Sequence, residues 1–258
     1  MSGAYNTNIA HVQGGNYMAL GTLAGQQTDI LWSEMQATFA NSGSEYYVGS
    51  WYDFLGDAVN EEFAPNLSSS STAAISAASG GVCRLTTHTD DNANATLVLG
   101  LNWLVSNGWT VFKARVKNVS AITARAVEIG LSDAVSESNG QAFTSHDSTV
   151  VAVATNAALF GFNDDDSMTT FSACSVNADT AAVTTAVGTP STSWTKYEIR
   201  INSSGTAYFY VDNVLVATHT SAVATTAVLT PWISVTNLTA AAARSIDVDY
   251  VGVWGVRV

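Results

Sequence analysis

Charge is scarce in this chain. Only 12% of its 258 residues are Asp, Glu, Lys or Arg, about half the usual roughly 25%. Ser and Thr take their place, so the expected surface is polar but thinly charged. The charge present is one-sided: 21 acidic against 9 basic residues give a formal net charge of -12. Such a surface repels phosphate backbones and argues against direct nucleic-acid binding. The helix formers Lys and Glu are few, while Val, Thr, Ile and aromatics abound, which favours strands. With 47% hydrophobic residues and so little charge, the chain has the makings of a sizeable core and not of a disordered segment.

Cysteine is nearly absent as well. Cys83 and Cys174 are far apart in sequence and form neither a disulfide framework nor a metal motif, so buried free thiols are expected. No run approaches the roughly 20 apolar residues of a membrane span. The opening Met1-Ser2-Gly3-Ala4-Tyr5 shows neither a basic nor an apolar signal region. Synthesis in a cytoplasm without export is the expectation.

What the chain does have is strand patterning, clearest between Trp194 and Ala217. Tyr197, Ile199 and Ile201 alternate with Lys196, Glu198 and Arg200, the period of a half-buried strand. Asn202 to Gly205 supplies a turn, with Gly205 free to take a positive φ. Ala207 to Val211 returns, and Asp212-Asn213 forms a two-residue turn into Val214 to Val216. This is a three-stranded antiparallel meander.

Further strands follow the same logic: Gly81–Thr86, Ala95–Leu101, Thr110–Val116, Ala126–Leu131, Val150–Ala154, Leu159–Phe162, Thr169–Val176, Thr180–Val187, Val228–Thr236 and Ser245–Val258. The Ser/Ala run Pro65–Ser79 reads as a loop. Roughly a dozen strands in one domain predict two stacked antiparallel sheets, a jelly-roll sandwich. Val111, Ile129, Ile199, Ile201, Phe209, Val211, Val248 and Tyr250 are assigned to its inner face, and Trp194 to an anchor at a sheet edge. The sandwich takes residues 44–258. Residues 1–43, glycine-broken and Asn/Gln-rich, read as an arm with one short helix over Asp29–Phe39. On that helix Leu31, Met35 and Phe39 share a face. The arm either anchors onto a neighbouring subunit or packs back on the sandwich.

The meander, the last strand Ile246-Asp247-Val248-Asp249-Tyr250-Val251, the pair Asp53-Phe54, and the segments Gly80–Leu85 and Val127–Asp133 together resemble the concanavalin A-like lectin/glucanase family. The resemblance covers roughly Ser50 to Val258 and implies an all-β jelly roll. It specifies fold far better than function. Glucanase members carry Glu-x-Asp-x-x-Glu on one strand, which sets nucleophile and acid on one face. Here Glu128 is followed at i+2 by Gly130, and no second glutamate comes after it, so the expectation is a non-enzyme.

Other candidate chemistry is thin. Asp247 and Asp249, two apart, lie roughly 7 Å from each other along a strand; solvent-facing or turn-satisfying roles outweigh a carboxylate pair. The loop Asn163-Asp164-Asp165-Asp166-Ser167 is oxygen-rich and is a weak calcium candidate through Asp164, Asp165 and Asp166. It lacks a closing bidentate Glu, and a solvated acidic loop is the plainer reading. His11, His88, His146 and His219 are scattered, and no G-x-S-x-G elbow occurs. Asn66, Asn94, Asn118, Asn202 and Asn237 begin N-x-S/T triplets, which chance explains in so Ser/Thr-rich a chain. Trp103, Trp109 and Trp232 are candidates for a sugar platform, with core or interface packing as the preferred reading.

A catalytically empty lectin-like sandwich with an extra arm, few lysines and no export signal resembles the structural virion proteins of tailed bacteriophages. The resemblance implies a capsid decoration (cement) or head-fibre protein on the virion surface. Its partners would be the major capsid protein and copies of itself, a homotrimer suiting a local threefold site. The alternative is a carbohydrate-binding adhesion module, in a phage tail or free, with the Asn163–Ser167 loop as its candidate calcium site.

Overall fold

The computed structural model describes residues 7–11, 17–21, 47–55, 58–76, 81–119, 122–135, 140–146, 151–164, 170–178 and 182–256. The chain divides into two compact units, Met1–Tyr47 and Val48–Val258. In the first, β1 (Thr7–His11) pairs antiparallel with β2 (Tyr17–Gly21), Thr7 opposite Gly21 and His11 opposite Tyr17. Of the glycines expected to break every element there, Gly21 instead ends β2 opposite Thr7, and Gly14, Gly15 and Gly25 lie outside the described residues. The expected helix, with Leu31, Met35 and Phe39, lies outside the described residues.

The second unit is a sandwich of two eight-stranded antiparallel sheets. The first sheet runs β15 (Val183–Gly188), β14 (Phe171–Asn177), β13 (Asn156–Asn163), β10 (Arg125–Ser132), β19 (Val228–Asn237), β7 (Asn94–Val98) and β4 (Asn66–Leu67). The short β8 (Trp103–Leu104) also pairs with β19. The second sheet runs β18 (Val214–His219), β17 (Ala207–Val211), β16 (Thr195–Ile201), β9 (Thr110–Asn118), β20 (Ser245–Val256), β6 (Val82–Thr86) and β5 (Thr72–Ser76). There β3 (Tyr47–Asp53) pairs with β20. A separate ribbon, β11 (Phe143–Ser145) with β12 (Val151–Ala152), lies in the segment between β10 and β13.

The meander forms as its sequence dictates. Asp212 and Asn213 both take positive φ, 47° and 68°, as the twist of a two-residue hairpin requires. Gly205 has φ 77°, and a Cβ there would sit 2.2 Å from the Val223 carbonyl oxygen, so the turn admits only glycine. Loop Pro65–Ser79, in contrast, contributes β4 and β5. These short segments become strands by pairing onto β7 and β6 at the sheet edges, a tertiary effect that local propensity does not carry.

The core lies between the sheets. Ile129, Ile199, Ile201, Phe209 and Val248 are buried in it, and Val211 packs against it half-buried. Two inner-face assignments are corrected. On β9 the inward residues are Phe112, Ala114 and Val116, so Val111 points outward with Lys113; a one-residue register difference moves a whole set to the other face. On β20 a bulge falls between Val248 and Tyr250. The extra residue restores inward packing at Val251 and Val253 and turns Tyr250 outward, where it stacks on Trp51 with centroids 4.4 Å apart. Trp194 likewise shares the outward parity of Lys196 and is only half-buried, so it is not a core anchor.

His219 ties the sheets together at one edge. Its Nδ1 lies 2.9 Å from Ser175 Oγ on β14, and its Nε2 lies 3.0 Å from Thr185 Oγ1 on β15. Burial lowers its pKa below the usual 6.5. The unfolded chain therefore takes up the proton more readily than the folded one, and stability falls as pH drops below about 6.5 toward the folded value. Thermal melts from pH 8 to 5 are expected to show this slope, and His219→Gln is expected to flatten it.

Candidate functional site

The outer face of the first sheet is closed by the chain itself. Along β10 the inward Val127, Ile129 and Leu131 alternate with outward Ala126, Glu128 and Gly130. Glu128 stands in the middle of the sheet, opposite Gly161 on β13 and Ser234 on β19, and is fully buried. Its cover is the segment after β10, where Ala134, Ala142, Phe143 and Ala154 pack with Val98, Leu159, Cys174 and Trp232 in a second apolar cluster.

Glu128 holds that cover in place. Oε2 accepts from the Ala142 backbone N–H at 2.7 Å, from Trp232 Nε1 at 2.8 Å and from Ser234 Oγ at 3.4 Å. Oε1 accepts from the Phe143 N–H at 2.7 Å and meets His146 Nε2 at 3.0 Å. A lone carboxyl group in an apolar setting is tolerable because its oxygens are saturated with donors. Gly161 provides the room: a Cβ there would lie 2.3 Å from His146 Cδ2. Among the described residues, none of these partners is a second carboxyl group, whereas acid–base hydrolysis of a glycoside uses a pair.

The second sheet presents a different outer face. The alternation in β9 (TVFKARVKN) turns Lys113, Arg115 and Lys117 outward, and that in β16 (TKYEIRI) turns out Lys196, Glu198 and Arg200. With Arg84 on β6, six of the nine basic residues in the chain share this face. Acids on β16 and β20 answer them. Asp247 takes a bidentate contact from Arg84, at 2.7 and 3.0 Å, and lies 3.4 Å from Lys117 Nζ. Asp249 pairs with Arg115 at 2.7 Å. Glu198 contacts Arg200 and sits 3.0 Å from Lys113 Nζ, both Lys113 and Glu198 being buried. Asp247 and Asp249 are thus ion-pair partners and not a carboxylate pair. On Asp53, burial and then the neighbouring Asp249 charge raise the carboxyl pKa.

Aromatic rings are set among these charges. Arg115 and Lys117 lie over the Trp194 ring at 5.0 and 4.7 Å, and Arg200 over Tyr210 at 4.7 Å. Trp109 pairs with Tyr208 at 5.8 Å and stays 40% exposed; Trp51 is 38% exposed. Of the three tryptophans considered for a sugar platform, only Trp109 fits. Trp232 is 0% exposed beneath the cover of the first sheet and Trp103 is 4% exposed, so neither presents a flat surface. Sequence reasoning missed Trp51, Tyr208 and Tyr210, although each sits at the outward parity of its strand.

In the acidic loop, the carboxyl group of Asp164 accepts the Ala124 N–H, and Asp165 and Asp166 lie outside the described residues. Among the described residues no group of three His, Cys, Asp or Glu side chains could hold a metal ion. Cys83 and Cys174 are free and buried, and burial pushes each thiol up to about 12. Asn94, Asn118 and Asn237 are buried as well, which closes those triplets to modification. No described helix is long and apolar enough to cross a membrane.

Comparison with known proteins agrees on the architecture. No protein-family model and no curated protein matches the chain. Solved structures do match. One is SO2946 from Shewanella oneidensis MR-1, a protein of unknown function, at 16% identity and TM-score 0.54 over 92% of this chain and 97% of that one. Another is peanut lectin, at 10% identity and TM-score 0.56 over 82% and 98%. A third is an endo-β-1,4-glucuronan lyase from the fungus Trichoderma reesei, at 10% identity and TM-score 0.53 over 79% and 97%. The chain has the concanavalin A-like sandwich fold. Lectins and glycan-cleaving enzymes both use it, so the fold leaves the choice between binding and catalysis to the site.

Proposed function

We propose that this protein is a non-enzymatic, glycan-recognising module displayed on the exterior of a tailed-phage virion. The observation that carries the recognition half is the outer face of the second sheet. Exposed Trp109 with Tyr208 beside it, exposed Trp51 stacked on Tyr250, and Tyr210 beneath Arg200 sit among ion-paired Arg, Lys, Asp and Glu side chains. Aromatic faces take the apolar face of a sugar ring, and fixed charged groups take its hydroxyls. Most of the basic residues gather here on a chain of net charge -12, so this face admits acidic glycans that the remaining surface repels. The non-enzymatic half is supported by Glu128, the carboxyl group at the centre of the other sheet, being fully buried and spent on structure.

Display on a virion is supported by the thinly charged, Ser/Thr-rich composition and by the separate N-terminal unit. On this reading the partners are the major capsid protein and copies of the chain in a trimer, as in a decoration protein. Glycan-array binding of wild-type protein and of Trp109→Ala/Tyr208→Ala tests the recognition half; the double variant is expected to lose at least about tenfold in affinity. Equal binding by both would rule out this face. Density-gradient sedimentation of particles tests the virion half: the chain is expected in the particle band at fixed stoichiometry, and its absence there would leave a free lectin-like module.

A further inference from the structure

Lys196 on β16 stands directly opposite Arg115 on β9, and both side chains point outward. Opposed residues on one face of an antiparallel pair lie about 5 Å apart at Cβ, and like charges placed there destabilise the sheet. Arg115 has an answering acid, Asp249, at 2.7 Å. Lys196 has none: among the described residues no carboxyl group forms an ion pair with its ammonium. Asp212, in the adjoining hairpin turn, takes the Lys196 backbone N–H at 3.0 Å instead. A third cation joins the two. Lys117 lies with Arg115 over the ring of Trp194, at 4.7 and 5.0 Å, and Trp194 precedes Lys196 by two residues on the same outward parity. The acid beside Lys117 is Asp247, 3.4 Å away and already in bidentate contact with Arg84. Places where a fold breaks its own local rule are where function is to be sought. The face as a whole has the same bias: its six basic side chains outnumber Glu198, Asp247, Asp249 and the adjacent Asp53, on a chain of net charge -12.

An anion set between Lys196 and Arg115 would pair with the first and remove its opposition to the second in one contact. A neutral hydroxyl would hydrogen-bond either cation but leave the repulsion between them. The stacking rings lie elsewhere on the face. Trp109 precedes β9, and Arg115 is six residues further on, about 20 Å along the strand. The acidic group and the stacked ring therefore belong to different units of one extended molecule. We infer that Lys196, Arg115 and Lys117 form the anion subsite of the outer face, taking a carboxylate or sulfate group of an extended acidic glycan. This subsite depends on the glycan reading above and adds to it the class of sugar. A nucleic-acid strand offers anions and rings too, but its dense phosphates would meet the acidic surface around this face.

Titration calorimetry of the full chain tests this with oligogalacturonate, its carboxyl-reduced neutral form, sulfated dextran oligomers, plain dextran oligomers and oligothymidylate. At least one acidic oligosaccharide is expected to bind more tightly than its neutral form, and the tighter of the two acidic ones names the group recognised. Lys196→Gln is expected to weaken that binding about tenfold and to flatten its dependence on salt, while Lys196→Arg keeps both. The urea midpoint of Lys196→Gln is expected to stay or rise, since an opposed charge is removed; a purely structural lysine would lower it. Acidic-glycan binding untouched by Lys196→Gln would overturn the anion subsite and leave the aromatic-face reading in place. So would Trp109-dependent binding of a neutral oligomer as tight as that of its acidic form. Oligothymidylate bound more tightly than every glycan would overturn the subsite in favour of a nucleic-acid ligand. No glycan bound by any route, on the array or here, would overturn both readings.

Discussion

Replacing Glu128 with alanine is expected to destabilise the fold by about 3–5 kcal/mol, far more than a typical substitution. The carboxyl group accepts from the N–H groups of Ala142 and Phe143 and from the Trp232 indole, and it meets His146. Alanine would leave those donors buried without an acceptor, each a desolvation cost of about 1–3 kcal/mol where the cover cannot relax. Some relaxation is expected, because among the described residues the covering segment pairs with itself through the short β11–β12 ribbon and the Val153 and Ala154 N–H bonds to the Ala142 carbonyl. Glu128→Gln keeps the shape but turns one acceptor into a donor that faces other donors, so it should cost about 1–3 kcal/mol. Urea unfolding with an unchanged slope reads these losses directly. Amide exchange at Ala142 and Phe143 should accelerate in both variants. A loss below about 1 kcal/mol for Glu128→Ala would mean that the cover is held by its apolar contacts alone.

The second large effect belongs to the other sheet. Lys113 and Glu198 are buried side by side, 3.0 Å apart, in the middle of the outer face, with Arg200 on the far side of the carboxyl group. Glu198→Ala is expected to cost about 3–5 kcal/mol, because it removes a buried carboxylate that pairs with both the Lys113 ammonium and Arg200. The double variant Lys113→Met/Glu198→Leu should recover most of that loss, since apolar residues of similar volume replace a desolvated pair at little net cost. A double-mutant cycle separates the outcomes: coupling near zero would show the two side chains to be independently solvated. The double variant also bears on function. It keeps Trp109, Tyr208 and Trp51, so a glycan held mainly by ring stacking should still bind.

The fold was legible wherever alternation was strict. The meander from Thr195 to His219 follows from apolar residues at every second position and from turn residues able to take positive φ. The long strands β9, β10, β19 and β20 also announce themselves, through recurring β-branched and aromatic residues. What failed to show depended on pairing across long sequence separations. The strands β4 and β5 exist because β7 and β6 offer them an edge, and Ser/Ala composition alone does not predict that. The bulge in β20 hides in Val248-Asp249-Tyr250, where simple alternation keeps Tyr250 inside and the ladder to β9 puts it out.

Much the same holds for the two faces. Lys113, Arg115 and Lys117 at every second position are a sequence signal for one charged sheet face, and Glu198 and Arg200 continue it on the adjacent strand. The closure over Glu128 left a fainter trace: a single glutamate in an otherwise apolar strand, two residues before Gly130. The partners that explain it, His146 and Trp232, are 18 and 104 residues away in sequence, and only the folded sheet brings them together. That the strand lacks the glucanase spacing of carboxyl groups can be read from the sequence, whereas the structural use of Glu128 could be seen only in three dimensions.

The most direct test of the account is chemical-shift mapping of the labelled protein with the tightest soluble oligosaccharide found on an array. The account predicts shifts concentrated at Trp51, Trp109, Tyr208 and Tyr210 and along β9 and β16, with the oligosaccharide recovered intact. Shifts centred on Phe143, His146, Glu128 and Trp232, accompanied by cleaved sugar, would contradict it. They would make the covered sheet a working active site and its cover a lid.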